Sequence, residues 1–184
     1  MTARLRAIKA GDKLTGLSLG HEKFVALKTF VQRNALTYEQ KKLARTYAVF
    51  DETKPAKAPK TWAPKLLAYL TLVCGEVTIK DGDNNLVAEQ GVDFNYKQYP
   101  AVKVARLAVD TSMRGKDIGS DLISFALAVV LDHICPHVGC RFLMVDAKKD
   151  SVGFYEKVGF TMLDTADNRA REEPVMFIDL HKVA

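Results

Sequence analysis

The segment Arg106-Leu-Ala-Val-Asp110, followed by Thr-Ser-Met and then by Arg114-Gly-Lys-Asp-Ile-Gly119, carries the strongest structural signal in the chain. Its alternating first part predicts a strand, and the apolar run after Gly119 predicts a helix. Both glycines of the segment lie between these two elements. A helix that begins after such a loop presents unpaired N–H groups at the positive end of its dipole. The arrangement is suited to binding a phosphate or pyrophosphate.

Length and composition predict a single globular domain over residues 1–184. The apolar fraction of 48% and the charged fraction of 27% are typical of soluble proteins. The longest unbroken apolar run, Phe125 to Leu131, is far shorter than the ~20 residues that span a membrane. The first residues lack the apolar core of a secretory signal. We therefore expect a cytoplasmic protein with no membrane partner.

Positive charge is concentrated in one stretch of a chain whose net charge is +5. Against Asp51 and Glu52, this stretch holds seven basic residues: Lys41, Lys42, Arg45, Lys54, Lys57, Lys60 and Lys65. One interpretation is a solvated surface that keeps the protein soluble. The other is a surface that attracts nucleic acid or a polyanionic cofactor.

Four potential zinc ligands lie within eight residues: His133, Cys135, His137 and Cys140. His133 lies at the end of a predicted helix, and Pro136 prevents the helix from continuing. Spacings as short as His-x-Cys-x-His would strain a tetrahedral site. With Cys74, the cysteines number three, and disulfides are not expected in the cytoplasm. We therefore predict a helix exit here and no metal site.

Hydrophobic periodicity along the chain predicts the element order β-α-α-β-β-β-α-β-α-β-β. This order implies an α/β (α+β) fold with a mixed sheet and helices on both faces. In more detail, we predict a helix over 21–34 and a capping box at Thr37–Gln40 that starts a second helix. Strands are predicted over 66–73 and 77–79, around Gly75, followed by a turn over 81–85. A further helix over 151–158 is predicted to end at Gly159.

Two motifs in residues 103–160 carry a family resemblance. R-G-K-D-I-G precedes a helix and a strand, and S-V-G-F-Y-E-K-V-G-F follows them. This combination resembles the GNAT superfamily of acetyl-coenzyme A-dependent N-acetyltransferases. The resemblance implies a mostly antiparallel, twisted sheet of six or seven strands. It also implies acetyl-coenzyme A as co-substrate, without a metal.

The resemblance further implies which residues hold coenzyme A. Backbone amides of the loop would bind its pyrophosphate, namely those of Arg114, Gly115, Lys116, Asp117, Ile118, Gly119 and Ser120. The free backbone edge of a splayed strand would pair with the pantetheine amides, at Leu107, Ala108 and Val109.

Asp117 departs from the family pattern, because glycine is usual at its position. Aspartate tolerates the left-handed backbone that the turn needs. Its carboxylate would repel a pyrophosphate unless it points outward or pairs with Lys116 or Arg114. We expect Asp117→Gly to tighten binding of acetyl-coenzyme A.

Tyr155 falls where the family places a tyrosine near the coenzyme A sulfur. A phenol with a pKa near ~10 holds its proton at neutral pH and can donate it to a departing thiolate. Lys148 stands where many relatives have asparagine. Asp110, Asp146 and His21 are candidate general bases, and nothing in the sequence selects one of them.

The primary functional prediction is transfer of an acetyl group to a primary amine by direct attack, with a small-amine or protein-amine acceptor. A second interpretation comes from A-R-L-A-V-D110, V-D-A147 and F-V-Q-R-N-A35. These resemble toxin-type GNAT enzymes, which acetylate aminoacyl-tRNA and pair with an antitoxin. A third is a coenzyme A-binding module without catalysis. The acceptor and the oligomeric state, including a homodimer, stay open.

Overall fold

A single mixed sheet of seven strands organises the computed structural model, which describes residues 2–79 and 97–183. The strand order is β1-β2-β3-β4-β5-β7-β6, and β4 pairs with β5 in parallel. The sheet is mostly antiparallel, which confirms the predicted fold class. The strands are β1 (Ala3–Ala7), β2 (Arg45–Asp51), β3 (Lys65–Thr78), β4 (Gln98–Val109), β5 (Phe142–Asp146), β6 (Thr161–Met162) and β7 (Val175–Asp179).

The described residues also form five α-helical segments: α1 (Val25–Thr29), α2 (Ala35–Gln40), α3 (Ile118–Val129), α4 (Val152–Lys157) and α5 (Ala166–Ala170). The sequence did not predict α5. Thr165 caps this helix by accepting from the Asn168 N–H, and the buried Asn168 amide bonds Leu163 and Val175. A buried polar residue therefore holds α5 in place, and the segment lacks the apolar periodicity from which a helix could be predicted.

The capping box predicted at Thr37 is wrong. A 3-10 turn (Glu22–Phe24) leads into α1, and a π turn (Phe30–Asn34) joins α1 directly to α2. Thr37 therefore lies inside a continuous helical stretch and has no helix start to cap. The Thr-x-x-Gln spacing matches a capping box, but the preceding π turn keeps the backbone helical through this position.

A single strand replaces the two that were predicted on either side of Gly75, because β3 runs unbroken through this glycine. A Cβ at Gly75 would lie 3.2 Å from Lys103 Cβ and 3.4 Å from Met144 Sδ. Glycine therefore serves close packing here and not a turn. The turn predicted at 81–85 lies outside the described residues.

The chain divides into two compact units, and unit 1 comprises Met1–Val73 with Ala105–Ser124. Its core packs the first helical stretch against β2 and β3 through buried residues such as Phe30, Phe50 and Tyr69. The Tyr69 hydroxyl donates to the Leu27 carbonyl at 2.7 Å. The Arg106 guanidinium lies 3.7 Å from the Phe30 ring centre, a cation–π contact.

Unit 2 comprises Cys74–Val104 with Phe125–Ala184. Its core combines aliphatic and aromatic side chains, and Phe142 makes edge-to-face contacts with Tyr99 and Phe177 at ring distances of 5.8 and 5.0 Å. The predicted helix end at Gly159 is confirmed, since this residue follows α4 with φ 96°. No helix within the ranges 2–79 and 97–183 has both the length and the apolar character to cross a bilayer.

Candidate active site

The loop before α3 contains two residues with left-handed backbone. Gly115 has φ 72° and Asp117 has φ 54°. The Asp121 N–H donates to the Asp117 carbonyl at 2.9 Å, which is the first helical hydrogen bond of α3. Asp117 thus adopts the conformation for which glycine is the usual residue, as aspartate can.

Backbone N–H groups remain available where α3 begins. Within the described part of the chain, those of Ile118, Gly119 and Ser120 have no hydrogen-bond acceptor. Three successive donors at the positive end of a twelve-residue helix form a site for an oxyanion. These donors belong to the loop for which the sequence predicts pyrophosphate binding.

Arg114, the first residue of the predicted loop, is engaged elsewhere. Its guanidinium donates to the Leu19 carbonyl at 2.7 Å, so it binds the chain segment Ser18-Leu-Gly20. The neighbouring Lys116 ammonium lies 3.9 Å from Met113 Sδ. Neither cation pairs with the Asp117 carboxylate in the recorded ion pairs, so the pairing considered from the sequence is not formed.

Asp110 fixes segment 18–20 from the other side. Its carboxylate is 1% exposed and accepts from the Ser18 N–H at 2.8 Å and from the Ser112 hydroxyl at 2.6 Å. Burial alone would raise the pKa of Asp110, but these hydrogen bonds and the nearby Lys65 ammonium lower it overall. Asp110 is therefore a structural anion, and this role argues against its being the general base.

Close packing completes this attachment, which we call the 18–20 clamp. The Thr111 N–H donates to the Ser18 carbonyl at 2.8 Å. Gly20 has φ 75°, and a Cβ at this position would lie 2.9 Å from Thr111 Cγ2. The sequence does not predict the clamp, because Ser18 and Asp110 are 92 residues apart. The single feature of the sequence that points to the clamp is Gly20, which precedes the first helical stretch.

A cleft of about 360 Å³ lies next to the clamp. Ser18, Leu19, Gly20, His21, Glu22, Phe24, Val25 and Lys28 line it. The His21 Nδ1 accepts from the Lys23 N–H at 3.1 Å and so caps the turn that begins the first helical stretch. The lining combines apolar and ionisable side chains, which can accept a small amine-bearing group.

The predicted pantetheine strand is the last part of β4. The recorded pairing of β4 with β5 covers Ala101, Val102 and Lys103, and Leu107, Ala108 and Val109 follow these residues along the strand. Ala108 is buried, and its two neighbours are half-buried. Their side chains can pack in a core while the backbone edge binds a ligand.

Tyr155 lies on α4 in unit 2. The residue is 7% exposed and makes edge-to-face contacts with Phe154 and Phe160, at ring distances of 5.1 and 5.3 Å. Burial raises the pKa of Tyr155 to about 12. Its hydroxyl has no hydrogen-bond partner among residues 2–79 and 97–183. The phenol therefore keeps its proton at neutral pH, with no acceptor for it among the residues that the structure describes.

Other candidate residues have structural partners. The Asp146 carboxylate pairs with the Lys103 ammonium, and the Lys148 ammonium lies 4.0 Å from Glu173. The cysteines are free, and Cys135 Sγ lies 3.5 Å from the Cys140 carbonyl. No group of three or more metal-binding side chains occurs in the described ranges.

Part of the chain matches a known protein family. Residues 73–162 match the family model described as an acetyltransferase (GNAT) domain. No curated protein sequence matches the chain. The match covers β4, the loop before α3, and α4, the elements that carry the predicted site residues.

Solved structures extend the likeness to the whole chain. A Tyr→Phe variant of KacT superposes with a TM-score of 0.76 at 22% identity, covering 100% of this chain and 98% of that one. AtaT complexed with acetyl-methionyl-tRNAfMet gives 0.74 at 22%, covering 99% and 97%. A structure described as a bacterial toxin gives 0.77 at 14%, covering 99% and 93%. At these identities the likeness establishes the fold.

Proposed function

Because residues 73–162 are a GNAT acetyltransferase domain, we propose that the protein transfers an acetyl group from acetyl-coenzyme A to the α-amine of aminoacyl-tRNA. The choice of aminoacyl-tRNA as the acceptor is supported by the whole-chain structural similarity to AtaT complexed with acetyl-methionyl-tRNAfMet. The likeness extends beyond residues 73–162 to residues 1–72, which contribute to the 18–20 clamp and its cleft.

The loop before α3 would hold the co-substrate. Free N–H groups of Ile118, Gly119 and Ser120 would bind the pyrophosphate, and the Leu107–Val109 backbone would bind pantetheine. The loop residues Arg114, Gly115, Lys116 and Asp117 would set its shape, with Arg114 acting through the clamp.

Tyr155 would supply the proton that the reaction needs. The amine nitrogen bonds to the thioester carbonyl carbon, the carbon–sulfur bond breaks, and the sulfur takes the phenolic proton. The tyrosinate then recovers a proton from water, and the acylated nitrogen releases one to water. A phenol whose pKa is raised to about 12 starts each turnover protonated.

Labelled acetyl-coenzyme A tests this proposal directly. The protein is incubated with a pool of charged tRNA, and the aminoacyl esters are then released and analysed. We expect the label on the α-amine of one or more amino acids, and uncharged tRNA serves as the control. Label on free polyamines or protein lysines, with none on charged tRNA, would contradict the proposal and support a small-amine or protein-amine acceptor instead.

A toxin of this kind would act in the cytoplasm and require an inhibitor. One similar structure is a mutant of the toxin AtaT bound to the C-terminus of the antitoxin AtaR, and another is a KacTA–DNA complex. We expect growth arrest when the protein is expressed alone and its relief by Tyr155→Phe. Normal growth with full acetylation of charged tRNA in the extract would argue against toxicity.

The small-amine acceptor is the second candidate, and the cleft favours it. A volume of about 360 Å³ suits a free amino acid or short amine. The same acetylation assay separates the two candidates, because a small-amine enzyme acetylates free amines at rates that charged tRNA does not exceed.

A further inference from the structure

The connection between β2 and β3, residues 52–64, is an exposed basic loop with a tryptophan. We call it the lysine loop. Two turns shape it, in which the Ala58 N–H donates to the Pro55 carbonyl at 3.0 Å and the Trp62 N–H to the Pro59 carbonyl at 2.9 Å. Each turn therefore begins at a proline, whose fixed φ preorganises the loop.

The lysines of this loop are not neutralised. Lys54, Lys57 and Lys60 are exposed, and no carboxylate within the described part of the chain forms a recorded ion pair with them. The nearby acids have other partners, since Glu52 lies 3.8 Å from Arg4 and Asp51 accepts from the Thr53 N–H. The loop therefore presents free positive charge to solvent.

Trp62 adds an aromatic face to this charge. It is half-buried, and the Lys54 ammonium lies 5.9 Å from its ring centre. Phosphates bind lysines by releasing counterions, whereas an aromatic ring binds bases that are unstacked. A cation beside an aromatic ring therefore suits a nucleic acid with an unpaired end better than a continuous duplex.

We propose that the lysine loop binds the acceptor arm of the RNA substrate, with Trp62 stacking on an unpaired base of its 3′ end. This inference rests on the proposed function, which supplies the RNA. The lysines would contact phosphates and set affinity, and Trp62 would favour the single-stranded end over paired bases.

Intrinsic fluorescence gives a direct test, because Trp62 is the single tryptophan of the chain. The full-length protein is titrated with an RNA hairpin that has an unpaired CCA 3′ end and with the same hairpin cut blunt. We expect the emission to change only with the tailed hairpin. An equal response to the blunt hairpin, to duplex DNA or to phosphatidylserine vesicles would overturn the proposal.

Substitutions separate charge from stacking. Lys57→Gln with Lys60→Gln should reduce the slope of log affinity against log salt by about 0.7–0.9 per lysine. The control pair, Lys13→Gln with Lys149→Gln, removes two exposed lysines elsewhere and should leave the slope unchanged. Trp62→Leu should weaken binding of labelled tailed hairpin about tenfold, and Trp62→Tyr should restore most of it. An unchanged slope or affinity in the loop variants would refute the interface.

Kinetics distinguish failure of this interface from failure of the proposed function. The KM for aminoacyl-RNA is compared with the KM for an aminoacyl ester that lacks RNA. We expect the ratio of the two to rise in the loop variants. If the wild-type protein acetylates aminoacyl-RNA and loop substitutions leave the ratio unchanged, the function stands and the interface is wrong. If it acetylates neither substrate, the function is wrong, and the titration alone decides the interface.

Discussion

The loop before α3 and the helix α4 carry the predicted site in contrasting ways. The loop presents backbone N–H groups, and its side chains are used to hold the chain in place, as Arg114 does at Leu19. α4 presents one side chain, Tyr155, packed between aromatic rings. Substitutions in the loop should therefore change geometry and binding gradually, whereas loss of one atom from α4 should stop the chemistry.

Tyr155→Phe tests this contrast at its strongest point. We expect kcat to fall by about 10²-fold or more, because general acid catalysis contributes that much. The substitution removes only a hydroxyl that has no hydrogen-bond partner in the described part of the chain, so the thermal midpoint should not change. Tyr38→Phe, at a half-buried tyrosine of unit 1, is the matched control. Steady-state kinetics and a melting curve measure both, and an unchanged kcat would remove Tyr155 from the mechanism.

Asp110→Asn should destabilise the region of the loop. Hydrogen bonds to a charged group stabilise a protein by about 1.5–3 kcal/mol, so we expect a loss of ~2 kcal/mol of unfolding free energy. The lowered pKa of Asp110 fixes the pH dependence. Its contribution is complete above the unfolded pKa of about 3.9 and is lost as pH falls through the lower folded pKa.

Urea unfolding of wild type and Asp110→Asn from pH 7 to pH 3 measures this dependence. The difference between the two proteins should be constant above about pH 5 and should shrink below about pH 4. A constant difference down to pH 3 would show that the charge of Asp110 does not stabilise the clamp.

Gly20→Ala and Gly16→Ala compare packing with backbone strain. Both glycines have positive φ, 75° and 90°, so both substitutions should cost about 1–2 kcal/mol. Only the Cβ at position 20 meets another atom, 2.9 Å away, whereas position 16 is open. Gly20→Ala should therefore cost ~1 kcal/mol more in thermal unfolding. Equal losses would mean that the clamp is loose.

Asp117→Gly should have the smallest effect and the opposite sign. Removing a carboxylate beside the free N–H groups should tighten acetyl-coenzyme A binding about two- to fivefold, or ~0.4–1 kcal/mol. Asp117→Asn tolerates the same φ of 54° without the charge, so it isolates the electrostatic part. Calorimetric titration of both variants gives the affinities. Weaker binding in both would show that the carboxylate supports the loop.

Local patterns predicted most of the fold, because the signals for β2, β4 and α4 are contained in the segments themselves. Two of the failures have different physical causes. At Gly75, residues of neighbouring strands decide that the strand continues. At α5, buried Asn168 supplies hydrogen bonds in place of an apolar face.

The site divides in the same way. The left-handed backbone at Asp117 agrees with the family resemblance, which places glycine at that position, and the apolar run after Gly119 predicted the helix that begins at Ile118. The clamp and the partner of Arg114 depend on residues distant in sequence. A periodicity argument cannot find such contacts, because it compares positions only a few residues apart.

The π turn at Phe30–Asn34 determines where this protein can change in length. Its hydrogen bond from the Ala35 N–H to the Phe30 carbonyl spans one residue more than an α-helical bond. Deleting one residue there would restore a regular helix, and later helical positions would keep their facing because the wide turn holds the extra residue. Ala35, which is fully buried, would stay in the core. In a regular α-helix the same deletion would rotate every later position by ~100°. This turn should therefore accept a one-residue deletion more readily than α1 or α2.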